Sequence, residues 1–100
     1  MIVKKHRTAG GILVAICDEN IFGKKFSEDG KMLDLSADFY KGEKMDGETA
    51  LRVCKSAYII NSVGEKSVAL LTKNKFVSEK NIIKIKGIPF AQCIVLENEI

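Results

Sequence analysis

The sequence predicts one α+β domain, built on a largely antiparallel sheet of five to six short strands with a two-helix pair inserted before the last two strands. Three observations lead to this fold class. Short apolar runs alternate with glycine turns over residues 1–35, which is typical of β-hairpins. Apolar residues recur at helical spacing over residues 47–73, and short apolar runs return after residue 81. This order in a chain of 100 residues predicts a single domain over residues 1–100.

The first hairpin is predicted from residues 2–8 and 12–17, joined at Gly10-Gly11. Paired glycines supply the positive φ angles that a tight hairpin turn requires. Within the second of these strands, Val14, Ala15 and Ile16 form a continuous apolar run. Such a run indicates a central strand that is covered on both faces.

A second hairpin is predicted from residues 24–27 and 31–35, because Asp29-Gly30 between them is a strong turn signal. Residues 36–42 are expected to form a loop or a single helical turn. Phe39 and Tyr40 are the side chains that would anchor this segment in the core.

Two helices are predicted next. The first spans about residues 47–60, with Asp46 as N-cap, and its apolar stripe consists of Ala50, Leu51, Cys54, Ala57 and Tyr58. Ser62 and Glu65 then match the capping box, in which each side chain bonds the backbone N–H of the other residue. We therefore expect the second helix to begin at this junction and to end near Lys73.

The last two strands are predicted at residues 82–86 and 90–96, on either side of Gly87-Ile88-Pro89. Because proline has no N–H to give to a sheet ladder, Pro89 is expected in the turn or at a strand edge.

Composition excludes several classes of protein. No apolar run approaches the roughly 18 residues that a membrane span needs, so we expect no membrane partner. The first apolar run is short and follows a charged start, which favours a cytoplasmic location. The three cysteines are widely spaced, and their odd number and spacing match neither a disulfide scaffold nor a zinc site. We therefore expect them to be small buried apolar side chains. We expect no metal site and no cofactor.

Catalytic chemistry has little support in the sequence. His6 is the one histidine, so any Ser-His or Cys-His arrangement must use it. If the hairpin turns on Gly10-Gly11 alone, Cys17 is a diagonal neighbour of His6; the alternative is a strand histidine beside a buried thiol. We predict no catalytic residues. An enzyme would need an unseen cluster, for which the candidates are Arg7, Asp18, Glu19, Lys24 and Gln92.

Basic residues on predicted strands are the candidates for nucleic-acid binding. They are Lys4, His6, Arg7, Lys24, Lys25, Lys84 and Lys86. The formal net charge of +3 is modest, and neighbouring strand residues point to opposite faces, so folding must create any positive surface. The alternative is that these are solvated edge lysines, which discourage aggregation.

Several spaced motifs resemble a small archaeal family catalogued as domain of unknown function 424. The matching motifs are His6-Arg7-Thr8-x-Gly10-Gly11, Leu13-Val14-Ala15-x-Cys17-Asp18-Glu19, Gly23-Lys24-x-Phe26, Leu35-Ser36-x-x-Phe39-Tyr40-x-Gly42-Glu43, Ala57, Asn61-x-Val63-Gly64-Glu65 and Gly87-Ile88-Pro89-x-Ala91-Gln92. They cover nearly the whole chain. The departure is Phe90, where the family often has histidine, and this argues against a catalytic or metal role at that position.

The resemblance implies an archaeal cytoplasmic protein, similar to proteins that carry an RNA-binding label and are associated with the translation machinery. No catalytic residue set comes with that label. Polar motif positions that the resemblance singles out are Asp18, Glu19, Asn61, Glu65 and Gln92.

Three functions remain open at this point. The leading hypothesis is a non-catalytic module that binds RNA or a translation-machinery protein, with Phe39, Tyr40 and Phe90 as the aromatic residues available for stacking on bases. The alternative is a protein-interaction module without nucleic-acid binding, either a homodimer or an accessory subunit, which would use strand addition. The third is an enzyme that the sequence does not reveal.

Overall fold

The structure is a computed structural model that describes residues 1–95. Its strands are Ile2–Thr8 (β1), Gly11–Cys17 (β2), Lys25–Glu28 (β3), Lys31–Asp34 (β4), Glu43–Lys44 (β5), Ile59–Val63 (β6), Ile83–Ile85 (β7) and Ile88–Ile94 (β8). Its helices are Gly47–Lys55 (α1) and Glu65–Lys73 (α2), and single 3₁₀ turns form at Glu19–Ile21, Asp38–Tyr40 and Glu79–Asn81. The predicted end of the last strand, residue 96, lies outside the described residues.

Six strands form one sheet in the order β5-β1-β2-β6-β8-β7, and β3 pairs with β4 in a separate two-stranded sheet. Every neighbouring pair in the large sheet is antiparallel except β2 with β6. The α+β class and the largely antiparallel sheet are therefore confirmed.

The large sheet is covered by a different layer on each face. Alternate residues of β2 enter two separate cores, and all of Val14, Ala15, Ile16 and Cys17 are fully buried. One core contains Val14 and Ile16 with residues of α1 and α2, and the other contains Ala15 and Cys17 with residues of the β3–β4 hairpin. The prediction that this strand is central and covered on both faces is confirmed.

The first helix is shorter than predicted, and a strand separates the two helices. α1 ends at Lys55, and residues 59–63 form β6, which lies between β2 and β8. The β-branched side chains Ile59, Ile60 and Val63 suit a strand better than a helix end. The helical spacing of Ala57 and Tyr58 with the residues before them is thus coincidental, and the expected direct junction between the helices is wrong.

The predicted capping box is also wrong. Ser62 lies in β6 with its side chain fully buried, and Glu65 is exposed at the start of α2. Gly64, at a φ of 107°, occupies the N-cap position and has no side chain to serve as a cap.

The first hairpin turns one residue earlier than predicted. Thr8 faces Gly11 across the ladder, so the turn residues are Ala9 and Gly10. His6 consequently faces Leu13, and Cys17 lies four residues further along β2, about 13 Å away at the usual rise of a strand. The predicted proximity of His6 and Cys17 is therefore wrong.

The last turn consists of Lys86 and Gly87, both with positive φ, and Pro89 lies within β8. The Gly64 N–H donates to the Pro89 carbonyl at 2.9 Å, while the Gly64 carbonyl accepts from Val68 N at 2.9 Å. Because Pro89 has no N–H to return, the ladder ends here and the Gly64 carbonyl is free to begin α2.

Candidate functional site

The half of the sheet face that extends beyond the β3–β4 hairpin carries a group of polar family-motif residues. We call this surface the open face and define it by two rows of residues that are partners in adjacent strands of β1, β2, β6 and β8. The first row is Lys4, Ala15, Asn61 and Gln92, and the second is His6, Leu13, Ile59 and Ile94. Partnered residues project their side chains to the same face of a sheet, so both rows belong to one surface.

Exposure along these rows increases towards β8. In the first row, Lys4 is half-buried, Ala15 is fully buried in the core and interrupts the open surface, Asn61 is half-buried and Gln92 is exposed. In the second row, Leu13 and Ile59 are half-buried and Ile94 is 58% exposed. The surface therefore offers apolar area and amide groups together, which is a combination that a bound chain can use.

The strand residues that point to this face include no acidic side chain. Along β1 they are Ile2, Lys4, His6 and Thr8; along β2, Gly11, Leu13, Ala15 and Cys17; along β6, Ile59, Asn61 and Val63; along β8, Ile88, Phe90, Gln92 and Ile94. The acidic group beside this surface is the exposed Asp38, which precedes Phe39 and pairs with Lys41 Nζ at 3.0 Å.

His6 and Phe39 form an aromatic pair at the β1 side of the open face. Their rings are stacked, with centroids 4.7 Å apart and planes inclined by 13°. His6 Nε2 also lies 2.9 Å from the Phe39 carbonyl oxygen, within hydrogen-bonding distance. This bond and the stack hold both rings in place, because the 3₁₀ turn at Asp38–Tyr40 packs beside β1.

Tyr40 connects this turn to the middle of the open face. Its hydroxyl donates to Asn61 Oδ1 at 2.9 Å. Burial, with a smaller contribution from nearby Cys17, raises the pKa of Tyr40 from 10.0 to about 12, so the phenol stays protonated near neutral pH. The Tyr40 hydroxyl is therefore engaged by Asn61 and is largely hidden from solvent.

The predicted nucleic-acid candidates do not all share this surface. Lys4 and His6 are on the open face, whereas Arg7 points to the opposite face because side chains alternate along β1. Lys84 lies on β7 and likewise points to the opposite face, which α1 and α2 cover (the helix face). In addition, β7 is four strand positions from β1, about 19 Å at the usual strand spacing.

The remaining three lysines lie at the hairpin end of the molecule. Lys24 and Lys25 are exposed at the start of β3. Lys86 is in the β7–β8 turn, where its N–H donates to the Glu28 carboxylate at 2.8 Å and joins the turn to the hairpin. The basic candidates thus form two separate groups, one at β1 and one around the hairpin and β7.

Asp18 has a structural role that the sequence did not reveal. Its carboxylate accepts hydrogen bonds from Lys66 N at 2.9 Å, from Ser67 N at 2.7 Å and from the Ser67 hydroxyl at 2.7 Å. It therefore caps α2 from the end of β2, in place of Ser62. A Cβ atom on Gly64 would lie 2.4 Å from Asp18 Cγ, so only glycine permits this approach.

The five enzyme candidates do not converge. Asp18 and Glu19 line a cleft of about 820 Å³ that also includes Glu65, but the three bonds to α2 engage the Asp18 carboxylate. Arg7 is at the far end of β1, Lys24 precedes β3 and Gln92 is on the open face. Within residues 1–95, no three or more His, Cys, Asp and Glu side chains are grouped as metal ligands would be.

Three aromatic residues were predicted to be available for stacking. Phe90 packs against the core beneath the hairpin, and Tyr40 is 7% exposed with its hydroxyl engaged, so Phe39 is the one whose ring accompanies open-face residues. Sequence reasoning missed the pairing of Phe39 with His6 and the exposed Ile94. The histidine and the Phe39-Tyr40 pair were visible as motifs, but their contact depends on the tertiary fold.

A family model described as "Protein of unknown function (DUF424)" matches residues 6–96. The chain belongs to this family. Within DUF424, the match includes every residue of the open face except Lys4. The comparison with curated proteins finds no match.

A solved structure has the same fold as this DUF424 chain. It is the crystal structure of an uncharacterized conserved protein from Methanopyrus kandleri, with 25% sequence identity and a TM-score of 0.82. The alignment covers 98% of this chain and 93% of that one, so the architecture is shared over nearly the full length of both. Neither helix within residues 1–95 is long and apolar enough to cross a membrane.

Proposed function

We propose that this protein is a non-catalytic RNA-binding module that holds a single-stranded segment across the open face. The observation that carries the proposal is the row Lys4–Ala15–Asn61–Gln92, which places a cation and two carboxamides on one face without an acidic neighbour on the strands. Sequence-specific recognition of RNA uses unpaired bases on such platforms, because the edges of unpaired bases are accessible. Under the same proposal, the protein acts in the cytoplasm and associates with the translation machinery, as the family resemblance implies.

The His6–Phe39 stack supports the proposal as a base-stacking element. Flat rings fixed at the side of a sheet bind the face of a nucleobase with little loss of side-chain freedom. His6 belongs to the row adjacent to Asn61, so a nucleotide stacked on this pair directs its neighbour towards the amides.

Phosphate contacts come from few cations. Among the basic side chains of β1, Lys4 is on the open face, whereas Lys5 and Arg7 are exposed on the opposite face. One such contact gives a log–log salt slope of about 0.7 for single-stranded RNA, so we expect binding with a weak salt dependence.

The test is fluorescence anisotropy with a labelled single-stranded RNA of mixed sequence. The wild-type protein should bind, and His6→Ala should weaken binding about fivefold through loss of the stack. Lys31→Ala, on the exposed β3–β4 hairpin, is the matched control and should leave affinity within the error of wild type. Absence of wild-type binding at roughly 100 μM protein and low salt would refute the proposal.

The second candidate function, a protein-interaction module, is favoured by one specific observation. β7 pairs with β8 only from Ile88 to Phe90, so no strand of the described chain pairs the outer edge of residues 91–94. Ile94 on this edge is 58% exposed. A second copy or a translation-machinery protein could add a strand here.

Light scattering after size-exclusion chromatography tests this second candidate for the case of a second copy. A concentration-dependent dimer that Ile94→Lys abolishes would support strand addition. A strict monomer at high concentration would count against the homodimer.

A further inference from the structure

We propose that the outer edge of β1 binds an extended acidic segment of another protein as an added strand. This edge is distinct from the open face and from the β8 edge, so the interaction goes beyond RNA binding and does not depend on it. Two features coincide here: backbone groups that no strand of residues 1–95 pairs, and the exposed basic side chains Lys5 and Arg7.

β5 covers only the beginning of this edge. It pairs with β1 at Ile2 and Val3. The residue before β5, Gly42, contacts β1 so closely that a Cβ atom there would overlap the Val3 carbonyl oxygen. From Lys5 to Thr8, no strand within residues 1–95 pairs the outer edge of β1. This open part of the edge is long enough for a short added strand.

The pairing with β2 determines which backbone groups of β1 point outward. Because the hairpin turn has two residues, the flanking residues Thr8 and Gly11 are a hydrogen-bonded pair. Even-numbered residues of β1 therefore bond β2, and odd-numbered residues direct their N–H and C=O groups away from it. The Met1 carbonyl agrees with this alternation, since it accepts from Met45 N at 2.8 Å on the β5 side.

Lys5 and Arg7 are consequently the residues whose outward backbone groups lie beyond β5. Within residues 1–95, no backbone hydrogen bond engages these groups on the outer side. Two donors and two acceptors in alternation match an extended polypeptide, which offers the same groups in return. Phosphate oxygens supply acceptors only and would leave the two carbonyls unmatched, so the edge favours a peptide over a nucleic acid.

The side chains at this edge favour an acidic segment. Lys5 and Arg7 are two positions apart on the helix face, so carboxylates at alternate positions of an added strand would stand opposite them. Neither side chain forms an ion pair within residues 1–95. The acidic strand neighbour is Glu43, which partners Val3 before the open part of the edge. A second copy is disfavoured, because pairing β1 with itself would set these cations against each other.

The test is an NMR titration of the isotope-labelled protein with a capped peptide of about seven residues that alternates glutamate and threonine. We expect binding with a Kd of roughly 0.1–1 mM. The amides of Lys5 and Arg7 should shift and should exchange more slowly with solvent in the complex, because the peptide carbonyls accept from them.

Two methylated peptides separate strand addition from charge attraction. In the antiparallel orientation that β1 has with both of its neighbours, glutamates opposite Lys5 and Arg7 direct their own N–H groups towards β1. N-methylation of the glutamates should therefore weaken binding about tenfold or more. N-methylation of the threonines is the matched control, since it keeps the same charge and modifies the far edge of the peptide, and it should have little effect.

Variants of the protein test the same edge from the other side. Lys5→Pro removes an outward N–H that the sheet does not use, so the domain should fold and the peptide should bind about tenfold more weakly or not at all. Lys5→Gln keeps that N–H and should weaken binding about threefold through loss of charge. Lys84→Gln, on the strand at the opposite edge of the sheet, is the matched control and should leave the affinity unchanged.

Several outcomes would overturn strand addition at this edge. They are equal binding of the two methylated peptides, amide shifts confined to other strands, and no shift at about 5 mM peptide. Slower exchange of the Lys5 and Arg7 amides with single-stranded RNA, but not with the peptide, would assign the edge to nucleic acid and would also overturn it. The anisotropy measurement on the open face decides RNA binding separately from all of these results.

Discussion

Asp18 shows how one side chain can organise two distant parts of this molecule. Its carboxylate accepts three hydrogen bonds from residues 48 and 49 positions away, and the residue is 5% exposed. A buried carboxylate bonded in this way stabilises the start of α2 more than an exposed cap does.

Asp18→Ala should therefore destabilise the domain by roughly 2–3 kcal/mol, because Lys66 N and Ser67 N lose their acceptor. Asp46→Ala is the matched control, since Asp46 is an exposed N-cap whose side chain accepts from Thr49 N at 2.8 Å, and its loss should cost about 1 kcal/mol. Urea unfolding measures both. A loss for Asp18→Ala no greater than that for Asp46→Ala would contradict this role.

Elements whose signals are local were predictable from the sequence. The β3–β4 turn has positive φ at both Asp29 and Gly30, as that dipeptide predicts, and Asp46 caps α1 as expected. β6 was missed because its sequence follows an apolar stripe without a break. The competing Ser62-x-x-Glu65 pattern is local as well, but Asp18 displaces it through a contact that no short window contains.

The candidate site shows the same limit. His6, Asn61 and Gln92 were recognisable as motif residues, but their common surface depends on the parallel pairing of β2 with β6. A shift of one residue in that register would send Asn61 to the helix face. Sequence reasoning could name the residues and could not bring them together.

The β3–β4 hairpin should be the least stable pair of strands. Most of its residues are exposed, and it pairs with no strand of the large sheet, whereas β2 and β6 lie in the centre of that sheet. Native-state hydrogen exchange should therefore show faster exchange for the hairpin amides than for β2 and β6. Equal protection of both sets would mean that the hairpin opens only with the whole domain.

Three buried groups make the stability of the folded protein depend on pH in the alkaline range. They are the thiols of Cys17 and Cys54 and the phenol of Tyr40. Burial raises the pKa of Cys17 from 9.0 to about 12, that of Cys54 from 9.0 to about 11 and that of Tyr40 from 10.0 to about 12. Between these values the folded state keeps protons that the unfolded state has released. Their contribution to stability is complete below about pH 9 and is lost as pH rises towards 12.

Thermal or urea unfolding from pH 8 to 11 should show stability falling by on the order of 6 kcal/mol. Cys54→Ala lowers stability at every pH because it leaves a cavity, and it should also make the decline with pH shallower. A stability that is constant up to pH 10.5 in the wild type would contradict the pKa shifts.

The link from Asp18 to Ser67 also constrains the order in which the chain folds. A helix of nine residues is marginal by itself in water, and α2 receives its cap from a residue at the end of β2. The chain must close a loop of nearly fifty residues, and so align β2 with β6, before this helix is stable. We therefore expect a long-range encounter to govern folding of the domain, with α2 forming late although it is local in sequence.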